Sequence, residues 1–190
     1  ATRTTGRRSS GTGASLALDA MKRKLYIGGG YGELYIYGLD NDGAIQTPPA
    51  YYKTLAYPMW IYTMHIDLVN SWLVCSVSET TYPTTTNTIS LVRLGTDGLP
   101  VQTTPDTYQY AYVDYGYPYA MAEDINTGRI YRGYSTYFHG TVMQLDAGDR
   151  PLTATNSQKP GVAGINDAVY DAADQRLYFV YDVNANITMW

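Results

Sequence analysis

An Asp followed six and seven residues later by an aliphatic residue and then Tyr or Val occurs four times in this chain. Asp19 leads to Leu25-Tyr26, Asp67 to Leu73-Val74, Asp124 to Ile130-Tyr131 and Asp171 to Leu177-Tyr178. The intervals are 48 residues (19 to 67), 57 (67 to 124) and 47 (124 to 171). A unit of that length, too short to bury its own hydrophobic face, is the mark of a repeat array in which neighbouring units supply the core. The apolar runs inside each unit are short and separated by turn residues, as in Leu25-Tyr26-Ile27-Gly28, Leu34-Tyr35-Ile36-Tyr37 and Asn41-Asp42-Gly43. Asn-Asp-Gly supplies the positive φ that a hairpin turn needs. No long window places apolar residues at helical spacing, and Tyr, Thr and Val stand where a helix would use Ala, Leu, Glu and Lys. The expected fold class is therefore all-β, an array of four antiparallel-sheet repeats.

Each repeated Asp stands where a strand ends. Its carboxylate can accept hydrogen bonds from backbone N–H groups of the following turn, so Asp19, Asp67, Asp124 and Asp171 are expected to stabilise turns. The repeats run over about 14–56, 57–113, 114–161 and 162–190, as one domain over 14–190. The segment 1–13, rich in Thr, Ser and Gly, is expected to be flexible or to complete the last repeat.

The run Leu16…Asp19…Leu25-Tyr26-Ile27-Gly28-Gly29, followed by Leu34-Tyr35-Ile36-Tyr37 and Leu39-Asp40-Asn41-Asp42-Gly43, resembles the repeat of lactonase-like (YVTN-type) β-propellers. The resemblance covers roughly residues 14–190. It implies four-stranded antiparallel blades whose first strand ends in an Asp turn and whose outer strands flank an Asp-Gly hairpin. It leaves a four-bladed ring, part of a larger propeller and blades completed by another chain as open alternatives. Five residues before each Asp, where lactonase-like enzymes tend to carry His, this chain has Ala14, Tyr62, Tyr119 and Asn166, which counts against hydrolase activity.

Little else in the chain points to chemistry. No nucleophile elbow, phosphate-binding loop or Cys-x-x-Cys motif occurs. With two His residues, His65 and His139, a His-rich metal site is excluded, and structural or solvated roles are expected for both. No catalytic residue, metal or cofactor is expected. A net charge of −4 and a pI near 5.0 argue against nucleic acid as a partner, and no apolar run reaches membrane-spanning length. Cys75 alternates with Leu73 and Val77 on one strand and reads as an inert buried thiol.

The functional signal lies in 21 tyrosines against only 16% charged residues. Tyr108, Tyr110 and Tyr112 alternate as on one strand face, and Tyr115 and Tyr117 follow, forming a candidate binding surface. The Thr-rich stretch Glu79–Asn87 reads as an insertion, with Thr84, Thr85 and Thr86 as candidate O-glycosylation sites, and Asn186-Ile187-Thr188 is an N-glycosylation pattern. The expected function is a non-catalytic extracellular or cell-surface module for binding or self-assembly, such as a filament subunit. Its expected partners are other copies of itself or other surface proteins. A carbohydrate-binding propeller and a lactonase-like hydrolase or isomerase are the alternatives.

Overall fold

The computed structural model describes residues 15–54, 60–68, 70–81, 84–101, 106–109, 118–124, 126–127, 129–134, 139–145, 151–158, 165–181 and 186–189. They build four antiparallel sheets, or blades, in chain order. Blade 1 comprises β1 (Ser15–Asp19), β2 (Lys24–Gly28), β3 (Glu33–Gly38) and β4 (Tyr51–Thr54). Blade 2 comprises β5 (Trp60–Asp67), β6 (Trp72–Thr81), β7 (Thr84–Arg93) and β8 (Asp106–Gln109). Blade 3 comprises β9 (Pro118–Asp124), β10 (Arg129–Tyr134), β11 (His139–Leu145) and β12 (Pro151–Gln158). Blade 4 comprises β13 (Ile165–Asp171), β14 (Arg176–Tyr181) and β15 (Asn186–Met189). Among the described residues the one helical element is a single 3₁₀ turn, Gly30–Gly32, and no helix is long and apolar enough to cross a membrane.

The repeated Asp residues close the first strand of each blade. Asp19 Oδ1 accepts the Lys22 N–H at 2.9 Å, Asp67 Oδ1 the Asn70 N–H at 2.9 Å, Asp124 Oδ1 the Asn126 N–H at 3.0 Å and Asp171 Oδ1 the Ala173 N–H at 3.0 Å. Four residues after the Asp, Arg23, Ser71 and Gln175 take positive φ (51°, 62° and 53°), the left-handed step that returns the chain into the second strand.

Blades stack face to face along their first strands, β1 on β5, β5 on β9 and β9 on β13. Side chains alternate across each sheet, so every blade offers one face to the blade before it and one to the blade after. Blade 1 sends Ala17, Tyr26, Leu34 and Ile36 to meet Ile61, Met64, Ile66, Leu73, Cys75, Val77, Val92 and Leu94 of blade 2. The far face of blade 2 carries Trp72, Val74, Ile89 and Leu91 onto Met121 and Ile130 of blade 3. Ala120 and Ala122 of blade 3 meet Ala168 and Leu177 of blade 4, with Tyr131 and Tyr170 at the edge. The row is open, because no packed face joins blade 4 to blade 1 among the described residues. Burial pushes the Cys75 thiol to about 12, which leaves it protonated and unreactive.

One local expectation gives way. The described residues of Glu79–Asn87 are paired strand rather than loop: β6 and β7 continue in register through Glu79↔Thr86 to Thr81↔Thr84. β-Branched Thr suits an extended pair as well as it suits a loop, and pairing satisfies the backbone. Tyr51 and Tyr52 belong to β4. His139 opens β11 opposite Gln158. The segment 1–13 lies outside the described residues.

Candidate functional site

Two features depart from the repeat pattern in ways that bear on function. The first lies in the seam between blades 2 and 3. The residue preceding each repeated Asp faces the previous blade. Ile66 enters the core shared with blade 1, and Tyr170 stacks on Tyr131 with ring centres 5.5 Å apart. At the same place in blade 3 stands Glu123, only 7% exposed. Its Oε2 lies 2.9 Å from His65 Nε2, a close ionic approach without the alignment of a good hydrogen bond. Burial raises the Glu123 pKa above the usual carboxylate range, His65 opposes the shift, and Asp67 adds to it. Asp67 is itself fixed from its own turn, accepting Asn70 Nδ2 at 2.6 Å. The arrangement can hold a proton between a carboxyl and an imidazole inside an apolar seam. Among the described residues no three His, Cys, Asp or Glu side chains are arranged to hold a metal ion.

The second feature is the face of blade 1 turned away from blade 2. Strand register places two rows of side chains on it. One runs Leu18, Leu25, Tyr37 and the other Leu16, Ile27, Tyr35, Tyr52. Their counterparts in blade 2 are Ile66, Leu73, Val92 and Met64, Cys75, Ser90, Thr107. Ile66, Leu73, Val92, Met64 and Cys75 are buried against blade 1. Among the described residues no blade packs on the same positions of blade 1: Leu16 is 40% exposed, Tyr52 53%, and the rest of the two rows are half-buried. The Tyr35 ring lies 4.6 Å from Tyr52 and 6.5 Å from Tyr37 between centres. Glu33 receives the Tyr52 hydroxyl at 3.0 Å and that of Tyr35 at 3.4 Å.

The hairpin turns at the outer edge repeat the contrast. The blade 2 turn Gly95–Gly98 docks on blade 1, where the Tyr26 hydroxyl donates to the Gly98 carbonyl at 2.8 Å and Lys22 Nζ to the Gly95 carbonyl at 3.1 Å. A Cβ on Gly98 would lie 3.0 Å from the Tyr26 hydroxyl. The corresponding blade 1 turn ends at Gly43, which also has positive φ (83°), yet a Cβ there would meet nothing within 4 Å.

Of the residues singled out from sequence, Tyr108 falls in β8 opposite Ile89, while Tyr110, Tyr112, Tyr115 and Tyr117 lie outside the described residues. Thr84, Thr85 and Thr86 fall in β7, and Asn186 opens β15. His65 faces Glu123 across a blade seam, a pairing that sequence reasoning did not anticipate. Its signal was a carboxylate where the other repeats have Leu18, Ile66 and Tyr170. The Tyr35–Tyr52–Glu33 cluster was likewise missed, because it forms only once β3 and β4 pair.

No protein-family model and no curated protein matches the chain. Solved structures do. The Cps50 (Swd1) β-propeller domain of Myceliophteria thermophila matches with a TM-score of 0.63 at 13% identity over 94% of this chain and 51% of that one. A chain of a mitotic checkpoint complex matches at 0.61 and 13% identity over 96% and 49%. A candidate 6-phosphogluconolactonase from Bacteroides uniformis matches at 0.62 and 12% identity over 97% and 61%. The chain thus spans about half to three-fifths of the length of these structures. At such identities the likeness is one of fold alone, and that fold is the β-propeller.

Proposed function

We propose that this chain is a non-catalytic binding and self-assembly module that works outside the cell, with the open face of blade 1 as its contact surface. The observation that carries this reading is the matched pair of faces. Blade 2 buries Met64, Ile66, Leu73, Cys75 and Val92 against a neighbour, and at the same positions blade 1 leaves Leu16 exposed and Leu18, Leu25, Ile27 and Tyr37 only half-buried. A contiguous apolar and aromatic sheet face on a soluble domain is an interaction surface. The low charge and the abundance of Tyr and Thr support an extracellular setting, and the lactonase-like likeness is a matter of architecture rather than reaction.

The Tyr35–Tyr52–Glu33 cluster favours a second reading on the same face. Two aromatic faces beside a carboxylate offer stacking and hydrogen-bond acceptance to a sugar ring. A binding experiment decides between these and neither. The chain is immobilised and probed with itself and with a panel of neutral oligosaccharides. Binding of one probe that Leu25→Glu reduces at least tenfold supports the assigned surface. Binding of neither probe, or binding indifferent to Leu25→Glu, overturns it.

A further inference from the structure

The last blade carries the complement of the first. By register, Val169 and Tyr178 share the face of blade 4 turned away from blade 3. Their counterparts in blade 1 are Ala17 and Tyr26, in the row that blade 2 covers. Val169 is 37% exposed where Ala17 is buried. Tyr178 stands where Tyr26 stands, seven residues after the repeated Asp, and Tyr26 is the side chain that grips the next blade's outer turn through the Gly98 carbonyl. Blade 1 holds the matching free turn, Asp40–Gly43. Charge agrees with this pairing. Lys24 sits against the Asp97-Gly98 turn in the observed interface, Arg176 occupies its place in blade 4, and Asp42 occupies the place of Asp97 in blade 1. Asp174 replaces Lys22 and leans toward Arg176 at 3.9 Å, so the bond from Lys22 to the Gly95 carbonyl has no equivalent.

From these observations we infer that the partner for the open face is a second copy of this chain, docked head to tail, with its Val169–Tyr178 face against the Leu16–Leu25–Tyr37 face of the first. The contact extends an interface the chain already forms between blades 1 and 2, 2 and 3, and 3 and 4. Head-to-tail contacts either close or run on into a filament. Each copy brings four sheets and spans about half the length of two of the propeller chains cited above, 51% and 49%. A head-to-tail pair that closes makes the same contact twice. This inference rests on the self-assembly reading above and specifies its geometry.

Light scattering on separated species tests it, using one exposed position of each face so that folding is little disturbed. The wild-type chain should run at twice the chain mass at micromolar concentration. Leu16→Glu on the head face and Val169→Glu on the tail face should each halve that mass while keeping the wild-type circular dichroism and melting behaviour. An equimolar mixture of the two variants should regain the doubled mass, because one sound head still meets one sound tail. If either variant fails to fold, Tyr52→Lys replaces Leu16→Glu and Tyr178→Lys replaces Val169→Glu. A wild-type chain that stays at single mass up to millimolar concentration overturns the inference, while oligosaccharide binding could still uphold the binding surface. A doubled mass that Val169→Glu leaves intact and Leu16→Glu abolishes indicates face-to-face pairing of two heads. That result overturns the head-to-tail geometry and leaves self-assembly standing.

Discussion

At position 123 a carboxylate occupies a place that Leu18, Ile66 and Tyr170 fill in the other repeats. Burial raises the pKa of this acid, and His65, approaching it from the neighbouring blade, offsets part of that shift. The consequence for stability has a definite sign. The native chain binds this proton more tightly than the unfolded chain, whose Glu titrates near ~4.3. Stability therefore falls as pH rises from that value through the raised native value, and the contribution is gone above it. Glu123→Gln, which mimics the protonated acid, should remove the slope. Denaturant midpoints measured across mildly acidic to neutral pH should show the wild type losing stability relative to the variant, with the two converging in acid. Parallel curves would mean that Glu123 titrates alike in both states. This residue shows where sequence reading stops. The carboxylate was visible as an exception, but its His partner lies 58 positions away in another blade and could be assigned only once β5 was seen to pack on β9.

The elements were far more legible, because each is set by local rules. The Asp-turn spacing marked the end of every first strand, and the alternation of Leu25, Ile27 with Tyr26 marked a strand buried on one face more than the other. What spacing could not give was the extent of pairing where composition is ambiguous, as in the Thr-rich arms of β6 and β7, or the fate of Tyr51 and Tyr52, whose strand is defined by its partner β3. The two outer hairpin turns offer a direct comparison at this scale. Gly43 and Gly98 share a left-handed backbone, so replacing either by Ala costs roughly 1–2 kcal/mol of conformational strain. At Gly98 the new methyl also presses on the Tyr26 hydroxyl at 3.0 Å and threatens a buried hydrogen bond, adding about 1 kcal/mol. Thermal or denaturant unfolding of dilute, unassociated chain should therefore find Gly98→Ala the more harmful of the two. Equal losses would mean that the turn of blade 2 does not grip blade 1.

At the scale of the molecule, one packing rule generates the row. The face that blade 2 sends to blade 1 is repeated by blades 3 and 4 toward their predecessors, and blade 1 carries the same face with no blade packed on it among the described residues. The repeat, the strand class and the propeller architecture could be read from the chain, since they depend on spacings within a unit. The proposed contact surface could not, since it depends on which face of which unit is left without a neighbour among the described residues; Tyr110, Tyr112, Tyr115 and Tyr117, which sequence favoured, lie outside those residues. Hydroxyl-radical footprinting across a dilution series measures that face directly. Leu16 and Tyr52 report on it, and Met21, 80% exposed in the turn between β1 and β2, serves as the internal reference. Oxidation of Leu16 and Tyr52 should fall severalfold relative to Met21 as concentration rises, and should recover in Val169→Glu. Ratios that stay constant at every concentration would contradict a blade 1 face built to receive another blade.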